Sequence, residues 1–394
     1  PIPEPPLSSY PAMASERQIQ NLIHRLEEGS WATGIKVAAL SIVCLMALVV
    51  VLFDPFFWNA FKGLSHPKGM EQASIARELA RGHGYTTPML RPVEVGAWVE
   101  REEPIPALFP ETYHAPLWPT VLAGPLYLFK SKWTMQPTEY VYIGDKVVAG
   151  VSILFFYASA FLFFRIIRRL FDSKVAWFAT ILTLLSLPLW KFSLSGLPQM
   201  FLLFLFGCAL YALVRAIENQ IANQSPIRWL CLTAVFFGLL GLTQAMMFWP
   251  LAGVLLFIGF YFKRPFILIP MMVAIVLAFY TPWVIRNSKV AKDPLGTSTL
   301  SILYQVRGDE ASLMRSFTRP NIPSPLHFRD KIQNGFVDYT NKVVAALGSN
   351  LIAPLFFLTL LHPFRRKEVT AVKWLLLLTW LSSVFGMLVV GSDD

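Results

Sequence analysis

The chain has few charged residues and almost no cysteine. Asp, Glu, Lys and Arg make up 15% of its 394 residues, and there are three cysteines, Cys44, Cys208 and Cys231. A soluble domain of this length would expose far more charge. All three cysteines lie inside apolar runs, as small packing residues and not as metal ligands or disulfide partners, so they leave the redox compartment unreadable. Metal-binding Cys/His spacing, a Walker loop, a dinucleotide-binding glycine pattern and a hydrolase serine elbow are all missing, which removes support for soluble-enzyme chemistry. Acidic residues are nearly absent from the apolar runs, which argues against an ion-coupled transporter, where buried carboxylates carry the coupling.

What is present is hydrophobic: 55% of residues, including 32 Phe and 12 Trp, with a mean hydropathy of +0.52. This is the profile of a polytopic membrane protein. The net charge of +10 sits in short segments between apolar runs. Orientation in a bilayer accounts for it better than nucleic acid, which is not among the expected partners.

Residues 1–14 are Pro-rich, lack a signal-peptide pattern and read as a cytoplasmic tail; residues 15–34 read as a mixed-charge interfacial helix, so that 1–35 precede the membrane domain, 36–394. Nine runs approach the roughly 20 residues needed to cross a 30 Å core: 36–57, 147–164, 175–192, 199–214, 229–247, 249–262, 266–285, 347–362 and 373–391. The stretch 116–129, broken by three prolines, is expected to be re-entrant or interfacial. With the N-terminus cytoplasmic, the basic segments 165–174, 215–228, 263–264 and 365–368 all fall inside, and two long loops, 58–146 and 287–346, fall outside. Loops of that length are the expected seat of function. The chain opens on Pro1 and stops at Asp393 and Asp394 directly after an apolar run, and it is expected to continue beyond one or both ends.

The first of these loops opens with GMEQASIARELARGHGY (69–85), where Met70, Ala73, Ile75, Ala76, Leu79 and Ala80 alternate with Glu71, Arg77, Glu78 and Arg81 at helical spacing, closed by Gly82 and Gly84. HAPLWP (114–119), FSLSGLPQMFLL (192–203), GLTQ (241–244) and TPWVIRN (281–287) follow. In this order the motifs resemble the GT-C fold glycosyltransferases, membrane enzymes that transfer a sugar from a polyprenyl phosphate carrier, including the lipid A aminoarabinose transferase and the protein O-mannosyltransferases. The resemblance spans about residues 36–300. It implies an all-α polytopic bundle with a juxtamembrane helix beside the site, a polyprenyl-phosphate-linked sugar as donor and an acceptor met on the outer face.

This chain departs from the family pattern at three places. The family helix opens with Asp-Glu, the Asp being catalytic, where this chain has Met70 before Glu71. A second family acid falls where this chain has Leu197, Pro198 and Gln199, and a basic residue after Leu-Thr is here Gln244. Attack by an acceptor hydroxyl on an anomeric carbon requires a carboxylate base and cations on the departing phosphate. The residues left for these tasks are Glu71 as base, with Lys68, Arg77 and Arg286 toward the carrier. Their plainer readings are a solvated first-turn acid for Glu71 and a snorkelling cation at a span end for Arg286. His114, where the aminoarabinose transferase has a metal-binding acid, and His327 in the second loop are the candidate ligands of a divalent metal, against the ordinary reading of lone loop histidines. EREE (100–103) reads as a solvated face and the aromatic runs as interfacial belts. Two functions follow: a lipid-carrier-dependent glycosyltransferase with a non-standard base, or a GT-C-like protein without catalysis that serves as a structural or assembly subunit among other membrane proteins and lipids.

Overall fold

The computed structural model describes residues 61–102, 104, 106–130, 133, 141–299, 316–317, 325–346 and 352–390. The expected tail, interfacial helix and first span, 36–57, lie outside the described residues.

Helix α1 (Pro67–Arg81) begins two residues before the stretch read from the sequence. Pro67 occupies its first turn, the His66 side chain accepts from the Lys68 N–H at 3.2 Å, and Gly82, at φ 89°, ends it in the left-handed conformation. It is more enclosed than an amphipathic surface helix. Ala73, Ile75, Ala76 and Ala80 are buried, and so are the polar Gln72, Ser74 and Glu78, whereas Met70 is 48% exposed. Its neighbour is α3 (Leu117–Leu128), whose Leu122 and Leu126 are fully buried. Complete burial of one such side chain is worth about 1.5–3 kcal/mol. Between α1 and α3 come α2 (Pro92–Glu100) and two short strands, β1 (Thr86–Thr87) and β2 (Phe109–Pro110), paired antiparallel with Thr86 opposite Pro110 and Thr87 opposite Phe109.

The rest is an all-α membrane protein. Among the described residues, four helices are long and apolar enough to cross a bilayer: α4 (Ile143–Leu170), α7 (Gln199–Ile221), α10 (Pro265–Val290) and α13 (Lys367–Val390). They match the expected runs at 147–164, 199–214, 266–285 and 373–391. The run at 175–192 is broken into α5 (Ser173–Leu184) and α6 (Leu187–Ser193), bent by 57°, because Pro188 in the first turn of α6 cannot continue the preceding helix. The runs at 229–247 and 249–262 become α8 (Ile227–Thr243), a 3-10 turn at Ala245–Met247 and α9 (Phe248–Tyr261). Of 347–362, the described helix is the shorter α12 (Ile352–Leu361). The second long loop holds a helix that periodicity did not suggest, α11 (Pro325–Ala346), packed on α13.

Helices α4, α7, α8 and α10 pack in series, and α9 packs on α13. Trp118 of α3 joins the loop to this bundle. It is fully buried, stacks on Phe201 at 5.6 Å and donates its indole N–H to the Gly196 carbonyl at 3.1 Å.

At one end of the bundle the basic turns converge. Arg366 donates to the Leu170 and Phe171 carbonyls, Arg169 pairs with Glu218, and Lys263 donates to the Asn223 side chain. All four basic segments read from the sequence therefore share one end.

Candidate functional site

Glu71, Arg91, Glu94, Glu111 and His114 form a charged cluster within the first long loop. Helix α1 brings Glu71, the residue before α2 is Arg91, and Glu111 directly follows β2. The β1–β2 pairing is extended by the Glu111 N–H bonding the Tyr85 carbonyl at 3.1 Å, which sets Tyr85 and Glu111 side by side.

Arg91 is the hub. One terminal nitrogen donates to Glu71 Oε2 at 2.5 Å; the other lies 3.4 Å from both oxygens of Glu111 and 3.9 Å from Glu94 Oε1, with the guanidinium over the Tyr113 ring. Glu111 is wholly buried and also accepts from the Tyr113 and His114 backbone N–H groups, at 2.6 and 2.9 Å, which closes the turn that orients His114. His114 Nε2 is 2.9 Å from Glu71 Oε2 and its Nδ1 is 3.2 Å from Gln72 Nε2. A ring that donates from Nε2 to Glu71 and accepts at Nδ1 from Gln72 satisfies both contacts. Glu94 accepts from the Thr297 and Thr112 hydroxyls at 2.6 and 3.2 Å, which fastens α2 to the segment after α10.

The three carboxylates are held differently. Burial acts to raise the Glu71 carboxyl, but its hydrogen bond with His114 and the charge of Arg91 outweigh this and keep it below its ordinary value. Burial likewise opposes ionisation of Glu111, and Arg91, His114 and the two backbone donors again reverse the sign. Glu94 goes the other way: burial, with Glu111 nearby, raises it despite Arg91. Arg91, flanked by three acids, stays protonated although burial opposes its charge. Glu71 alone of these acids is partly open, with 22% of its side chain exposed.

Arg286 closes the cluster from α10. It donates to the Glu111 and Tyr85 carbonyls at 2.6 and 3.1 Å and to Asn287 Oδ1 at 3.0 Å, between the Tyr85 and Trp283 rings. Pro282 lies inside α10, whose buried face there carries Tyr280, Trp283 and Asn287. TPWVIRN thus builds the bundle side of the cluster.

The structure therefore brings Glu71, His114 and Arg286 together. Lys68 lies in the first turn of α1 and Arg77 stacks over Tyr142 at 5.1 Å, apart from the Arg91 network. His327 lies on α11 and its side chain falls outside the described residues. No group of three or more His, Cys, Asp or Glu with metal-holding geometry occurs among the described residues. Both ring nitrogens of His114 already face protein partners. The reading of Glu71 as a solvated first-turn acid is corrected, because His114 and the turn at Glu111 fold over it and Arg91 neutralises it.

Arg91, Glu94, Glu111, Tyr85 and Thr297 were not singled out from the sequence. The available signal was local: single charges set among Pro and apolar or aromatic residues, in LRPVEV (90–95) and FPETYH (109–114).

Gln199 and Gln244, two of the positions singled out in the sequence, meet at one cavity. Gly69 abuts Ser195 and Gly196, and three residues further on Gln199 lines an apolar cavity of about 640 Å³ together with Gln244, Phe206, Met247, Trp380 and Met387. No charged side chain lines it among the described residues.

No family model matches the chain, and neither the curated proteins nor the solved structures compared with it give a match.

Proposed function

We propose that this all-α membrane protein is a GT-C-like glycosyltransferase of nine spans, its N-terminus cytoplasmic, which moves a sugar from a polyprenyl phosphate carrier to an acceptor hydroxyl on the face opposite the basic turns. The observation that carries the reading is the Glu71 carboxylate: it is the partly open acid of an otherwise buried network, fixed through Oε2 by Arg91 and His114. It stands two residues from Gly69, which touches the turn leading into the apolar cavity. An apolar cavity of this size suits an isoprenoid tail.

In this reaction the acceptor oxygen bonds to the anomeric carbon, its proton passes to Glu71, and the bond from that carbon to the phosphate oxygen breaks with its electron pair leaving on the carrier. A carboxylate held ionised is ready to accept a proton at neutral pH, and its fixed orientation offsets some of the base strength that the Arg91 pair removes. Lys68, at the N-terminal end of α1, is the cation this reading assigns to the carrier phosphate. Arg286 serves it indirectly, by holding the loop carbonyls.

The second reading, a catalytically silent structural or assembly subunit, draws on a separate observation. The Arg286 guanidinium is occupied by three protein acceptors, and Met70 is exposed where the family pattern has its catalytic acid. Fold resemblance alone does not choose between them. The test is transfer from a polyprenyl-phosphate-linked sugar by the reconstituted chain. Glu71→Gln is expected to lose at least about 100-fold in turnover while the chain still folds, with a lower unfolding temperature at neutral pH from the lost Arg91 pair. Full activity in that variant eliminates Glu71 as base. A wild-type chain that gives no turnover and copurifies stoichiometrically with other membrane proteins establishes the subunit reading instead.

A further inference from the structure

A second cavity lies at the opposite end of the bundle, where the basic turns converge. It is a groove of about 690 Å³ between α9 and α13, walled by Phe257, Phe260, Trp374, Leu378 and Leu381, with Arg365 and Lys367 at its polar end. Phe260, Trp374 and Leu381 are exposed.

The α13 positions that line it, 367, 370, 371, 374, 377, 378 and 381, recur at intervals of three and four and form one stripe along the helix. From 367 to 381 this stripe is about 21 Å long at 1.5 Å per residue. That exceeds the half-thickness of a bilayer core about 30 Å across, so the groove runs from the basic turn through the depth of one leaflet.

The charge sits at one end only. Arg365 and Lys367 line the mouth, and Arg264, which precedes α10, is exposed nearby in sequence to Tyr261 of the same wall. Two other cations are committed elsewhere: Arg366 to the Leu170 and Phe171 carbonyls, and Lys373 to those of Leu360 and His362. These bonds fix the backbone of the turn from which Arg365 and Lys367 project. The opposing charge is Glu368, in the first turn of α13 and near Tyr261.

A groove that is basic at the headgroup level and aromatic and aliphatic along one leaflet matches a molecule with a phosphate at one end and a hydrocarbon chain at the other. Basic pockets between membrane helices meet anionic lipids in this way. We propose that the α9–α13 groove is a binding site for an anionic phospholipid, its phosphate between Arg365 and Lys367 and one acyl chain along the Trp374 stripe. This site is independent of the chemistry assigned to the loop cluster.

Trp374 supplies the readout. The full chain is placed in nanodiscs of phosphatidylcholine containing increasing phosphatidylglycerol, with one of the two lipids brominated in its acyl chains, and the quenching lost in Trp374→Phe is taken as the groove signal. Brominated phosphatidylglycerol is expected to quench that signal at a several-fold lower mole fraction than brominated phosphatidylcholine. Arg365→Gln and Lys367→Gln should each weaken the preference by about fivefold, the size expected for one cation facing an anionic lipid. Glu368→Gln should strengthen it, which separates lipid binding from simple loss of fold. Equal quenching by the two lipids, or an undiminished preference in the double Gln variant, overturns the proposal and leaves ordinary boundary lipid in the groove.

Discussion

Gly69 and Gly196 meet backbone to backbone: a Cβ on Gly69 would stand 2.4 Å from the Ser195 carbonyl oxygen and 2.9 Å from the Gly196 Cα. This contact seats the first turn of α1 on the turn before α7, and so positions Glu71 relative to the Gln199 end of the cavity. Replacing Gly69 by Ala would add about 1 kcal/mol of helix propensity. The clash is with backbone, which cannot rotate away, and overpacking of this kind costs about 1–3 kcal/mol. Gly69→Ala is therefore expected to lower the unfolding midpoint in detergent, and Gly196→Ala to do so as well because Gly196 also holds φ 83°. An unchanged midpoint in both would show that α1 is not fixed by this contact.

Arg91 is expected to be the most costly single charge to remove from the loop. Arg91→Met leaves Glu111 fully buried without its cation, and breaking a buried pair from one side costs about 3–5 kcal/mol. Arg81, 43% exposed, offers the contrast: the buried Glu78 that it pairs with also has His83 as a partner, so removing Arg81 should cost less. Denaturant unfolding of Arg91→Met, Arg81→Ala and the double variant Arg91→Met with Glu111→Gln would check this. The double variant should recover part of the loss.

The cluster also sets a pH dependence with two opposed parts. Glu71 and Glu111 have folded values below the ordinary carboxylate pKa of about 4.3. The unfolded chain takes up their protons first as pH falls. Their contribution is complete above about pH 4.3 and is lost as pH drops through the folded values. Glu94 is raised, so its contribution is complete below about pH 4.3 and is lost as pH climbs through its folded value. Glu94→Gln should consequently stabilise the protein at pH 8 and give little change at pH 4. Unfolding midpoints at the two pH values decide it, and the same shift at both would remove Glu94 as the source.

Topology can be checked with single cysteines in a background where Cys44, Cys208 and Cys231 are replaced by Ser. The Arg366 bonds to Leu170 and Phe171 put residues near 168 and 365 at one end, while the loop cluster packs around the far ends of α7 and α10. Cysteines at 168 and 365 should resist an impermeant thiol reagent in intact cells, and a cysteine at the exposed His83 should react. Labelling at 168 from outside would reverse the orientation.

Much of the architecture was readable in one dimension. Apolar run length and flanking charge specify an all-α membrane protein, and the amphipathic spacing with Gly82 beyond it specifies α1 and its end. These are properties of neighbours in sequence. Breaks inside long apolar runs were harder to see, because apolar character continues across them: the bend at Leu185 and Ser186 comes from Pro188, and the 3-10 turn at Ala245–Met247 interrupts the run with no drop in hydropathy.

The loop cluster belongs to the tertiary structure. The sequence supplied Glu71, His114 and Arg286 as separate suggestions, with no means of telling a solvated acid from a paired one. Only the fold, by bringing Arg91 across to α1, turning Glu111 inward and laying Arg286 against the loop, made them one network. A carboxylate's ionisation depends on the charges and donors within a few ångströms of it, and here the partners of Glu71 lie 20 and 43 positions away along the chain.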